Sequence, residues 1–104
     1  MLPKYQMVLQ WSPESIGDYD ALVAIENLLI KNLSPDYQID GHDSTPDEMN
    51  IFIYARHPQK AFEEVKTILG RHECWKDLRA AFRKVKAEPF TPLWPPGSGE
   101  FKVG

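Results

Sequence analysis

Residues 49–55, MNIFIYA, are apolar on both sides of a period-two alternation. Met49, Ile51 and Ile53 fall on one side, and Phe52 and Tyr54 on the other. A strand with one wet face alternates apolar with polar residues, whereas a strand covered on both faces does not need to. The segment therefore reads as an interior strand, with other strands beside it and an apolar patch on each face. Residues 5–11, YQMVLQW, alternate more simply. Tyr5, Met7, Leu9 and Trp11 share one face, and Gln6, Val8 and Gln10 share the other. This is a second strand, broken by Pro13 and Gly17.

Two stretches carry the helical period instead. In 18–33, Ala21, Leu22, Ile25, Leu28, Leu29 and Leu33 make one stripe, with Asp20, Asn27 and Lys31 opposite. Asp18 suits the N-cap, where its carboxylate accepts first-turn N–H groups. In 56–70, Ala61, Phe62, Val65, Ile68 and Leu69 make the stripe, Pro58 fits the first turn, and Gly70 fits a left-handed C′ position. Tyr37–Asp40 reads as a short edge strand, joined to the interior strand by a loop over Gly41–Asp47. The stretch 75–90, with the strand placed within Arg79–Lys86, fits either period: Leu78, Phe82 and Val85 helically, or Leu78, Ala80 and Phe82 in alternation. A strand is favoured, because the preceding order is already β-α-β-β-α.

The fold expected is α+β: a ferredoxin-like split β-α-β two-layer sandwich, β-α-β-β-α-β, with an antiparallel sheet. Residues 1–88 form one domain. Residues 89–104 form an irregular tail rich in Pro and Gly, docked on that domain through Phe90, Leu93 and Trp94. In this arrangement the first and third strands are central and both helices cover one face. Val8, Phe52 and Tyr54 then lie on the uncovered face, whose apolar patch needs a cover from the tail, a second subunit or a partner.

The chain has 104 residues, one cysteine and a net charge of −3. One cysteine excludes an internal disulfide and a four-thiolate zinc site, and makes a reducing, cytoplasmic location the default expectation. No apolar run approaches the roughly 18 residues of a membrane span. Charge is uneven: residues 1–50 hold two bases and nine acids, and residues 51–104 hold ten bases and six acids. The overall balance is unlike that of a strongly basic nucleic-acid binder.

The segment 39–50, IDGHDSTPDEMN, concentrates Asp40, His42, Asp43, Asp47 and Glu48. It lacks the calcium-loop pattern and any H-E-x-x-H or C-x-x-C, so no cofactor or metal is assigned. His42 beside Asp43 offers an oriented imidazole, but no G-x-S-x-G elbow accompanies it. Cys74, with His72 two positions before it, reads as a buried, idle thiol. Phe52 and Tyr54 suit base stacking, yet the basic-Gly-aromatic signature of single-strand RNA binders is missing. No complete catalytic set emerges. The leading expectation is a small non-enzymatic binding domain whose partner is another protein or a second copy of itself. In general style it resembles bacterial toxin-immunity and adaptor proteins. The candidate binding residues are His42, Asp43, Asp47, Glu48, Phe52, Tyr54 and Trp94. The alternatives are a small metal-dependent or acid–base enzyme using the 40–48 loop, and single-stranded RNA binding on the open sheet face.

Overall fold

Strand β1 (Tyr5–Trp11) is the middle of a five-stranded sheet in the computed structural model, which describes residues 5–87, 89–97 and 99–103. After β1 come a single helical turn α1 (Pro13–Ile16), helix α2 (Tyr19–Asn32), strands β2 (Gln38–Ser44) and β3 (Met49–Ala55), and helix α3 (Pro58–Leu69). A 3-10 turn (Glu73–Asp77), strand β4 (Arg79–Lys84) and strand β5 (Thr91–Trp94) follow. The strand order is β2-β3-β1-β4-β5, and each neighbouring pair is antiparallel. The fold is α+β, and the helical layer on one sheet face is compatible with a two-layer sandwich.

The alternation of β1 sorts the two faces. Met7, Leu9 and Trp11 stand opposite Ile53, Ile51 and Met49 of β3. These six are buried with Leu22, Ile25 and Leu29 of α2 and Ala61, Phe62, Val65 and Leu69 of α3. Each buried side chain of leucine size contributes roughly 1.5–3 kcal/mol relative to exposure. Asp18 caps α2 by accepting from the Ala21 N–H at 2.9 Å. Pro58 opens α3, as expected. Gly70 does not take the left-handed conformation expected of it. Its φ of −59° is right-handed, and its N–H continues the helix by bonding the Lys66 carbonyl.

Three other features depart from the sequence expectation. First, the tail is not wholly irregular: Thr91–Trp94 pairs with β4, so β4 is an inner strand and not an edge. Second, the face away from the helices is covered by this same tail. Phe90 and Phe101 are buried with Val8 and Ala81, and Phe52 and Val103 pack against them. Phe90 and Phe101 lie 5.3 Å apart, and the guanidinium groups of Arg83 and Arg79 sit over them at 4.6 and 5.5 Å. The Gln10 amide donates to the Lys102 carbonyl at 2.9 Å, which ties the tail to the sheet. Third, β2 runs through Ser44, so the loop is a tight turn, Thr45–Glu48, and not seven residues. The Thr45 N–H donates to the Glu48 carbonyl, and the Thr45 hydroxyl accepts from the Asp47 and Glu48 N–H groups.

Strand β2 contains a bulge. Ile39 pairs with Ile53 and Gly41 with Phe52, so Asp40 is an extra residue against β3. Gly41 there has φ +119°, a conformation other residues rarely adopt, although a Cβ would meet nothing within 4 Å. Gly41→Ala is therefore expected to cost about 1–3 kcal/mol through the backbone alone. Phe101→Ala is expected to cost about 3 kcal/mol by emptying the tail's berth on the sheet. Urea unfolding of each variant reads both values, and an unchanged midpoint for Phe101→Ala would contradict the described cover.

Candidate functional site

The bulge decides where the side chains of β2 point. In a regular strand Ile39 and His42, three residues apart, face opposite ways. The extra residue reverses the parity after Asp40, so His42, opposite Ile51, joins Ile39 on the helical side. There it meets α2. Nδ1 of His42 lies 3.0 Å from both carboxylate oxygens of Glu26, and Nε2 lies 2.8 Å from the Tyr19 hydroxyl. The Tyr19 and His42 rings meet edge to face at 5.2 Å. An ionised carboxylate only accepts, so Nδ1–H donates to Glu26. In the neutral ring Nε2 is then the acceptor and the Tyr19 O–H donates to it.

Further along the same seam the end of α2 leads into the start of β2. Ile30, Leu33, Ser34, Pro35, Tyr37, Gln38 and Ile39 line an open groove of 340 Å³. Ile30 is 56% exposed and Tyr19 52%, two of the three large apolar side chains that stand well out of the described surface. The Tyr37 phenol is raised above its ordinary value, first by partial burial and then by the Glu64 and Asp36 carboxylates. Ser34 is fixed by Glu64, whose carboxylate accepts from both its N–H and its hydroxyl. The groove wall is thereby held in place. The seam ends at β2, an outer strand of the sheet along which Gln38, Asp40, Asp43 and Ser44 are exposed. Between Lys31 and Arg56 the sequence contains five acids and no Lys or Arg.

The seven residues singled out in the sequence do not form one site. His42 lies on the helical side, while its neighbour Asp43 stands opposite Asn50 on the other face and is exposed. Asp43 therefore does not orient the imidazole, as the sequence suggested; Glu26 does. Asp47 and Glu48 line a cleft of 720 Å³ with Gln10, Ser12, Arg79 and Lys102. In it the Gln10 amide donates to Glu48 at 2.9 Å and to the buried Asn50 at 3.1 Å. Phe52 and Tyr54, expected on an uncovered face, are half-buried. Burial first, and then the Asp40 carboxylate, raise the Tyr54 phenol above its ordinary value, with Arg83 partly opposing. Trp94 is on the helical side in an aromatic cluster, 5.1 Å from Trp75 and 6.0 Å from Phe62, with Lys66 over its ring.

Glu26 and Tyr19 were not singled out in the sequence. A signal was present: Glu26 is four residues after Leu22 and one after Ile25, so it interrupts the apolar stripe. An acid at such a position requires a buried partner. Among the described residues no three His, Cys, Asp or Glu side chains stand where they could hold a metal ion together. His72 accepts from the Cys74 N–H and caps the 3-10 turn. The Trp11 indole donates to the Cys74 carbonyl at 2.9 Å. Comparison of the chain with protein-family models, with curated proteins and with solved structures found no match.

Cys74 is buried, and burial pushes its thiol from the ordinary 9.0 up to about 11. Only the thiolate attacks disulfide reagents. At pH 7 the native thiolate fraction should thus be about 100-fold below that of the denatured chain, and the native thiol should react correspondingly more slowly. Stopped-flow thiol titration of native and urea-unfolded chain checks this, and equal rates would contradict it.

Proposed function

We propose that this domain is a binding module that receives an extended segment of another protein along the outer edge of β2. Support comes from one combination: a seven-residue edge strand flanked by acids without bases, bordered by the Ile30–Tyr37–Ile39 groove. An added strand gains backbone hydrogen bonds from the edge and side-chain specificity from the groove. The acids of β2 and its turn favour Lys and Arg in the incoming segment. Apolar side chains at alternate positions fit the groove. A second copy pairing through the same edge would set acid against acid, so a different chain is the better occupant.

The framework that carries this edge we read as the ferredoxin-like split β-α-β unit, with β5 added beside β4. The order β2-β3-β1-β4 supports that reading. The single-strand RNA alternative finds less support, because Phe52 packs against the cluster that the tail's phenylalanines form with Val8 and Ala81.

Panning random displayed peptides against the full chain tests the proposal. Enriched peptides should alternate basic and apolar residues and bind more weakly as salt rises. Asp43→Lys and Ile30→Glu, both at exposed positions, should each weaken them about tenfold, a change of about 1.4 kcal/mol. Absence of enrichment, or peptides that bind both variants unchanged, contradicts it. A dimer at micromolar concentration that these substitutions dissolve would replace the foreign segment with a second copy.

A further inference from the structure

Glu26, His42 and Tyr19 form a series from interior to surface. The Glu26 side chain is 11% exposed and the His42 side chain 23%, whereas Tyr19 is 52% exposed. The carboxylate fixes the imidazole at Nδ1, and the imidazole accepts at Nε2 from a hydroxyl that solvent reaches. This is the order of orienting acid, base and nucleophile. It arises from two separate elements, since Tyr19 and Glu26 are two turns apart on α2 and His42 reaches them only because of the β2 bulge.

We propose that Tyr19 is an activated nucleophile toward small neutral acyl esters, with His42 as its general base and Glu26 as a positioning residue. Tyr19 Oη attacks the carbonyl carbon while Nε2 takes the phenol proton. The tetrahedral adduct then breaks its bond to the leaving oxygen, which receives the proton from Nε2. An ester and the free phenol thus become O-acyl Tyr19 and an alcohol, with no redox change and no co-reactant. Water activated by the same nitrogen removes the acyl group and restores the phenol. Asp18 and Asp20 flank Tyr19 in the sequence and Glu26 stands behind it. These carboxylates repel an anionic phosphoryl donor and leave a neutral acyl ester unhindered.

Tyr37 and Tyr54 serve as internal controls, since partial burial and neighbouring carboxylates raise both phenols. The full chain is treated with p-nitrophenyl acetate at neutral pH, and acetylation of each tyrosine is followed by peptide mass spectrometry. Tyr19 should be acetylated at least about 10-fold faster than Tyr5, Tyr37 or Tyr54, a conservative value for a positioned base. Its advantage should vanish in His42→Gln and return in His42→Ala when free imidazole is added. The nitrophenolate burst should be lost in Tyr19→Phe, a surface change that leaves the core untouched. For Glu26, nitrogen NMR should show the Nδ1–H tautomer of His42 in the parent chain and its loss in Glu26→Ala. Labelling of Tyr19 no faster than the other tyrosines, or as fast in His42→Gln as in the parent, overturns the proposal. Neither result depends on whether a peptide docks at β2.

Discussion

Val8 and Phe52 stand directly opposite each other on the sheet face away from the helices. Burying this pair is the constraint around which the rest of the chain is arranged. Strands β1 and β3 are apolar on both sides at this level, so one helical layer cannot satisfy them. The chain supplies the second cover itself. It lays Phe90 on this face, sends β5 alongside β4, and brings Phe101 back to join Phe90 with Val8 and Ala81. The arginines that would otherwise mark a basic sheet face, Arg79 and Arg83, lie over those rings instead. An apolar face that looks from the sequence like a request for a partner is thus already satisfied. What stays open is backbone at the ends of the sheet. One end is the four-residue β5, interrupted by Pro92, which lacks a donor. The other is the seven-residue β2.

The bulge at Asp40 gives β2 its second property. By adding one residue it turns Ile39 and His42 toward the helices together, and leaves Asp40 and Asp43 on the other side. Ile39 completes the groove with Ile30 and Tyr37. His42 joins Glu26, an acid set within the buried stripe of α2, and through it reaches Tyr19. One irregularity of the backbone thereby assembles both the apolar margin of the edge and the imidazole relay. The φ of +119° at Gly41 is the backbone conformation that permits it.

The elements set by strong periodicity were legible in the sequence. Strands β1 and β3 and the stripes of α2 and α3 follow from which side chains must be hidden, the Asp18 cap from its carboxylate beside the first turn, and the strand in 79–86 from the β-α-β-β-α order before it. Three features were not legible, each for a physical reason. Strand β5 is four residues long and contains a proline, so its pairing is a tertiary event without a local signature. The parity of His42 depends on a bulge, and a Gly beside an Asp reads equally well as a loop. The partnership of His42 with Glu26 crosses from strand to helix, whereas sequence proximity pointed to Asp43, which adjacency in a strand sends to the opposite face. Of the seven candidate residues, only His42 belongs to the relay. Trp94 and Phe52 are packing residues, and Asp47 and Glu48 belong to a separate cleft.

Both devices, the self-supplied cover and the parity change, are read directly by proton cross-relaxation between side chains in solution. The structure predicts cross-peaks from the His42 ring to the Tyr19 ring and from the Phe101 ring to the Val8 methyl groups. Cross-peaks from His42 to Phe52 or Tyr54 instead, with Phe101 silent toward Val8, would mean an unbulged strand beneath an uncovered sheet. That outcome would contradict the account.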